Sequence, residues 1–241
     1  MVQQRIKLYR GSTNDCSYLE GREAVNIYAD PHHPQPRVVY NQLIQRGFRR
    51  SGEYVYRPGC DGCSACTPVR ICCREFKPRR SQRRNLSANA DLSVDFQQAR
   101  YTDEYFQLYK RYLGARHPDG GMDNPAPEDF SRFLLNPWGE TLFLDVRYGK
   151  ELIAVAVTDA TTDGLSAVYT FFDPECNKRG LGIFCILQQV KLCNAMDYPY
   201  LYLGYWVDGC RKMDYKIDYN PQEHFNGQEW TRLSRATSGR A

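Results

Sequence analysis

Apolar residues recur every three or four positions across "VVYNQLIQRGF" (38–48), which predicts a helix with Gly47 placed to end it. The proline-rich "DPHHPQP" (30–36) before it reads as a loop. "EYVYR" (53–57) and "TPVRICC" (67–73) alternate as short strands do, and they are expected to pair across the cysteine turn between them. "LSVDFQQARY" (92–101) opens a new pattern whose first half alternates. Thr102 then stands as an N-cap for "DEYFQLYKRYLGARH", where Phe106, Tyr109 and Leu113 share one face. The loop "PDGGMDNPAP" (118–127) separates this helix from a second, shorter one, "EDFSRFLL". The next three stretches read as an antiparallel meander: "TLFLDVRY" turning at Gly149–Lys150, "ELIAVAVTDA" turning at "TTDG", and "LSAVYTFFDP". "RGLGIFCILQQVKLCNAMD" is apolar enough to be a largely buried helix, and "PYLYLGYW" is a further strand.

Strand, two helices, three-strand meander, helix, strand is the order of the GNAT (N-acetyltransferase-like) fold. The expected fold class is therefore α+β: a GNAT-like mixed-sheet domain over 91–241, preceded by a small cysteine-bearing α+β domain over 1–90. In such folds the last meander strand and the strand after the helix splay apart and form the cleft, which places "YTFFDP" (169–174) beside "YLGYW" (202–206). Between them "NKRGLG" (177–182) ends at a helix N-terminus and would aim backbone N–H groups at an anion. A coenzyme A enzyme would prefer Gln or Arg at the first position of a Q/R-x-x-G-x-G/A loop. Here Asn177 stands there, with Gly180 and Gly182 in place, so coenzyme A binding is the runner-up and glycines that merely open a helix the plainer reading. At the end of its apolar strand, the Asp173 carboxylate could hold a substrate ammonium and accept its proton, or simply shape an Asp–Pro turn. Arg211, Lys212 and Lys216 after the last strand could meet a carboxylate or a phosphate, or form a solvated charge run.

Hydrophobic residues make up 42% and charged residues 25% of the 241, as in ordinary globular domains. No apolar stretch approaches the roughly 18 residues of a membrane span, and no apolar signal segment opens the chain, so a cytosolic protein with mostly reduced cysteines is expected. The net charge of +4 is unevenly spread: 70–84, "RICCREFKPRRSQRR", is dense in Arg and Lys and favours a phosphate backbone, or is a solvated edge. The 18 tyrosines suit half-wet sites. His32, His33, His117 and His224 have no metal spacing.

Four long stretches, "GFRRSGEYVYRP" (47–58), "YKRYLGARHPDGGM" (109–122), "SAVYTFFDP" (166–174) and "YLYLGYWVDGCRKMDYK" (200–216), give the chain a likeness to a known family. It resembles the aminoacyl-tRNA–protein transferases (arginyl and leucyl) from about residue 15 to 230. The "DCSYL" start (15–19) and the turn of Cys60, Cys63 and Cys66 are closest to the compact bacterial branch, which moves Leu to an N-terminal Asp or Glu and so marks proteins for degradation. The resemblance implies a charged tRNA as donor, a protein α-amine as acceptor, a monomer, and no cofactor required for the chemistry. It implies Asp173 as the group that holds and deprotonates the amine, with Tyr169 and Tyr205 orienting the ester or shuttling a proton. Arg49, Arg50, Lys212 and Lys216 would hold the acceptor's acidic side chain or the tRNA end. Arg79, Arg80, Arg83, Arg84, Arg179, Gly180 and Gly182 would contact tRNA. Cys16 with Cys60, Cys63 and Cys66 would suit an iron–sulfur cluster or zinc, or serve as free thiols shaping the turn. Arginyl transfer to the same acceptors, a coenzyme A-dependent N-acetyltransferase and a metal-bearing RNA-binding module are the alternatives.

Overall fold

The computed structural model describes residues 5–116 and 124–233. The N-terminal segment runs β1 (Leu8–Arg10), a ribbon of β2 (Asn14–Asp15) and β3 (Glu23–Ala24), β4 (Asn26–Ala29), α1 (Pro36–Ile44), β5 (Arg49–Ser51) and β6 (Tyr54–Pro58). Proline at its first turn starts α1 without wasting a hydrogen-bond donor, and Val39, Tyr40, Leu43 and Ile44 form its buried face. The helix ends where expected: Gly47 takes φ +79°, and the Phe48 N–H returns to the Leu43 carbonyl. The strands form a sheet in the order β1-β4-β6-β5.

The expected pairing of 53–57 with 67–73 does not occur. β6 already has β4 on one edge and β5 on the other, so no edge remains for a third partner. The cysteine turn instead carries the chain away into β7 (Cys66–Cys72), which lies between β12 (Tyr200–Val207) and β13 (Gln222–Phe225) in an eight-stranded sheet. That sheet also takes β8 (Leu92–Gln98), the meander β9 (Glu140–Tyr148), β10 (Glu151–Ala160) and β11 (Gly164–Phe172), and β14 (Trp230–Arg232), in the order β14-β13-β7-β12-β11-β10-β9-β8. Among the described residues, only β11 and β12 run parallel.

The apolar runs of β10 and β11 are buried on both faces because helices cover both. α3 (Asp103–Arg116) and α4 (Pro127–Leu134) pack Leu108, Leu113, Phe130 and Leu134 against Phe143, Val155 and Phe171. α5 (Leu181–Ala195) packs Leu187 and Val190 on the other face against Leu165 and Leu201. Each such fully buried side chain contributes about 1.5–3 kcal/mol. Thr102 caps α3 as expected, its Oγ1 accepting from the Tyr105 N–H at 3.2 Å. α2 (Arg80–Ala88), from the basic segment, lies across α5 through Leu86.

Two irregularities open this sheet at one place. β11 and β12 pair only over Gly164–Ser166 and Tyr200–Tyr202. Just beyond, the β10–β11 register skips Val168, and the β12–β7 register skips Leu203. A bulge adds twist and bends its strand. With one on each side, the two parallel strands diverge, as the element order predicts.

Candidate active site

Arg49, the first residue of β5, fills the divergence. Its guanidinium donates to the Val168 carbonyl at 3.4 Å, an acceptor left outside the regular ladder by the bulge. On the other side it lies against Gly204, whose φ of +75° favours glycine. A Cβ there would stand 3.1 Å from Arg49 Nη1, so glycine also makes room for the guanidinium. Behind it, in a 3₁₀ turn (Arg211–Asp218), Lys216 is 4% exposed and donates from Nζ to the Tyr205 carbonyl at 2.6 Å. Burial, and then the charge of Arg49, push the Lys216 pKa down to about 7. The side chains acting on Arg49 are tyrosines, Tyr56, Tyr18 and Tyr205 foremost. Tyr18 and Tyr215 both feel Arg49, and burial raises the pKa of each. Among the described residues, no carboxylate pairs with Arg49 or Lys216.

The other expected site residues are not all here. Arg50 lies elsewhere: it is 1% exposed and forms a two-pronged ion pair with Asp159, at 2.6 and 2.8 Å. Its remaining donors serve the Gly52 and Leu134 carbonyls, and Tyr40 and Thr141 complete Asp159. Four of its five N–H donors are thus engaged, and the side chain is fully enclosed. Tyr205 lies beneath Arg49. Its hydroxyl is buried and donates to the Gly47 carbonyl at 2.8 Å, and burial raises its pKa well above the ordinary tyrosine value, so it supports Arg49 rather than shuttling protons. Tyr169 is half-buried in an aromatic cluster with Tyr109, Tyr112 and Phe133, and burial pushes its pKa up.

Asp173 lies at the far end of β11, five residues past the bulge, on the order of 15 Å along a strand. Its Oδ1 accepts from the Glu175 N–H and its Oδ2 from Arg111, both at 2.9 Å. It caps the following turn with both oxygens engaged. α2 braces the loop 177–182 from one side: Asn85 donates to the carbonyls of Arg179 and Gly180, and Asn89 to that of Arg179. Arg179 itself forms a two-pronged pair with Asp91. Gly180 has φ +63°, and Gly182 sits in the first turn of α5 with open space beside it.

Arg80, Arg83 and Arg84 project from α2 as an exposed basic face, and Arg79, at its N-cap, pairs with Asp218. Lys212 is exposed. The cysteine turn packs beneath the site, with Cys66 beside Tyr18, Tyr56 and Tyr205. Burial, followed by Cys16, Cys60 and Cys63, pushes the Cys66 thiol up to about 11. Among the described residues, no three His, Cys, Asp or Glu side chains are arranged to hold a metal ion. Of the histidines, His32 and His33 lie in the loop before α1, His224 contacts Gln222, and His117 lies outside the described residues.

Tyr18, Tyr56, Tyr215 and Gly204 were not singled out by sequence reasoning. The excess of tyrosine, and a glycine inside a strand pattern, were the available signals.

A family model described as "Arginine-tRNA-protein transferase, N terminus" matches residues 14–84, and one described as "Arginine-tRNA-protein transferase, C terminus" matches residues 104–226. The chain belongs to this family of transferases, as its motifs suggested. Among curated relatives, proteins named "Aspartate/glutamate leucyltransferase" from Nitrosococcus oceani and Hahella chejuensis are each 47% identical over 93% of this chain, covering 95% and 96% of their own lengths. One of the same name from Alcanivorax borkumensis is 45% identical over 95% of both chains. Among solved structures, L-PGS from Bacillus licheniformis aligns with a TM-score of 0.46 at 11% identity, over 68% of this chain and 48% of that one.

Proposed function

We infer that this chain transfers leucine from leucyl-tRNA to the α-amine of proteins that begin with Asp or Glu. The observation that carries the reading is the gap between β11 and β12 in a member of this family. The ladder stops after Ser166 and Tyr202, and the opening holds Arg49 and Lys216 without a carboxylate partner among the described residues. Apart from the Val168 and Tyr205 carbonyls, which Arg49 and Lys216 take, the strand edges beyond the ladder are where an extended donor would lie.

The chemistry asks little of side chains beyond placement. The donor is an activated ester. An α-amine with a pKa of about 7.7–8.0 is partly neutral at cell pH. Its nitrogen attacks the leucyl carbonyl carbon, the bond to the ribose oxygen breaks, and the amine proton ends on that oxygen. Holding amine and ester together can remove about 7–11 kcal/mol of the barrier. N–H groups on the open strand edges are the donors at hand for the developing oxyanion.

The unit from β8 to β12 is, in this reading, a GNAT-like acyl-transfer fold, with the cysteine turn and basic helix of residues 1–90 as the tRNA-side addition and the cytoplasm as its place of work. Coenzyme A is disfavoured because Asn177 stands where its binding loop prefers Gln or Arg. The test incubates the protein with leucyl- and arginyl-tRNA and with peptides beginning Asp, Glu, Arg and Lys. A mass gain of one leucyl residue on the Asp and Glu peptides alone is expected. Gain of arginine, or of nothing, refutes the reading.

A further inference from the structure

We propose that the open face of the β1-β4-β6-β5 sheet is a stacking platform for the unpaired 3′ end of the donor tRNA, with Tyr9, Tyr28, Tyr54 and Tyr56 as the rings on which its bases lie. The proposal rests on the reading of a tRNA donor above. It adds to the exposed arginines of α2 a surface of different chemistry, one that meets bases instead of phosphates.

Strand register puts the rings in line. Tyr9 of β1 stands opposite Tyr28 of β4, Tyr28 opposite Tyr56 of β6, and Tyr56 opposite Arg49 of β5. Residues directly opposite one another share a face, so one row crosses all four strands and ends at Arg49, in the β11–β12 gap. Tyr54, two residues before Tyr56, joins the same face. The other face is the buried one, where Ala29 and Val55 pack with α1. The rings stand close: the Tyr28 centroid is 6.0 Å from that of Tyr56 and 6.1 Å from that of Tyr54. Tyr28 lies down on the neighbouring strand at Gly11, where a Cβ would meet its Cε2 at 2.7 Å. The row is open at its outer end, with Tyr9 50% and Tyr54 44% exposed, and half-buried at Tyr28 and Tyr56 toward the gap.

The surface selects its occupant. Flat rings set side by side give every base a place to stack, whatever its identity. Bases are available for this only where they are unpaired, since a duplex keeps its own inside the stack. A peptide carries no planar group at fixed intervals, and an extended one adds to the edge of a sheet, not to its face. The row spans three strand spacings, about 14 Å, which is roughly four nucleotides of a stacked single strand. Charge agrees with a polyanion. Lys7, on the same face two residues before Tyr9, and Arg49 mark the two ends of the row, and neither has a carboxylate partner among the described residues. The direction of the strand follows. The esterified end must reach the gap, so the terminal nucleotide lies toward Arg49 and Tyr56, and those before it pass over Tyr28 and Tyr54 to Tyr9.

The test is a cycle between protein and RNA. Uncharged leucine tRNA is prepared in two forms, intact and trimmed of its unpaired 3′ nucleotides, and the affinity of each is measured by fluorescence anisotropy at fixed salt. Tyr9→Ala combined with Tyr54→Ala should weaken binding of the intact tRNA by roughly tenfold or more and leave that of the trimmed one within about twofold. Tyr9→Phe combined with Tyr54→Phe keeps the rings and should bind both as the wild type does. Equal weakening of the two RNAs by the alanine pair, or no weakening of the intact one, overturns the platform and leaves leucyl transfer standing. So does a phenylalanine pair as weak as the alanine pair, since hydroxyls and not ring faces would then make the contact. If the alanine pair keeps its tRNA affinity and raises KM for the acceptor peptide, the face belongs to the peptide and the proposal falls. If the cycle comes out as expected while the wild type transfers no leucine from leucyl-tRNA, the leucyl reading falls and the platform stands. Should the alanine pair fail to fold, threonine at both positions, a strand former without a ring, supplies the same comparison.

Discussion

Lys216→Met should make this protein more stable, and by an amount that shrinks as pH rises. The folded Lys216 titrates at about 7 against an ordinary value of 10.5. Because the folded pKa is the lower one, the unfolded chain binds more protons throughout the window between the two, and wild-type stability rises with pH there. Below pH 7 the penalty of a buried ammonium is present in full; above 10.5 it is gone. At pH 7 the offset of 3.5 units, less the half-protonation of the folded form, corresponds to roughly 4 kcal/mol. At pH 9 about 2 kcal/mol remains by the same arithmetic. Methionine fills the space without a charge, at the loss of one hydrogen bond to the Tyr205 carbonyl, worth about 1 kcal/mol. The variant should therefore be more stable by roughly 3 kcal/mol at pH 7, and the advantage should narrow by about 2 kcal/mol on going to pH 9. Urea unfolding of both proteins at the two pH values, followed by tryptophan fluorescence, measures this. Comparing variant with wild type cancels the other groups around the lysine, Tyr205, Tyr215, Cys66 and Cys210 among them. A stability difference that does not change with pH, or a variant less stable at pH 7, refutes the claim that Lys216 is held as an unpaired charge.

Three further outcomes are expected. Arg50→Gln strands the Asp159 carboxylate and should cost about 3–5 kcal/mol in urea unfolding, and wild-type stability together with lost peptide binding would return Arg50 to the substrate site. Arg80→Glu with Arg84→Glu should weaken tRNA binding and flatten its salt dependence with the fold intact, and an unchanged binding curve over a salt series would make α2 plain surface. Asp173→Asn keeps a cap acceptor and loses the Arg111 ion pair, so transfer should fall less than about tenfold with KM for Asp peptides unchanged; a loss of a hundredfold or more in kcat would restore the base role.

The order of elements was legible before any coordinates. The period of "EDFSRFLL", the alternation of "TLFLDVRY" and "ELIAVAVTDA", and the turn at Gly149–Lys150 are local signals, and α4 and the β9–β10 hairpin stand where they point. The divergence of two neighbouring strands followed from that order. The pairing of the cysteine-flanking strands did not, because edge availability depends on β4, which reaches β6 from some thirty residues upstream. Asp173 carried a strong local signal at the end of an apolar strand, but its oxygens are engaged by Arg111, 62 residues away in sequence, and by its own turn.

Arg49 and Arg50 show most directly where the sequence by itself stops. It determined that two arginines stand side by side in a short strand, and that such a strand sends consecutive side chains to opposite faces. It contained nothing to say which face meets Asp159, 109 residues along the chain, and which meets the gap. Only the tertiary structure decided that, because pairing depends on neighbours in space: one arginine became a fixed part of the core, and its neighbour was set between β11 and β12 on the Val168 carbonyl and the Tyr205 ring.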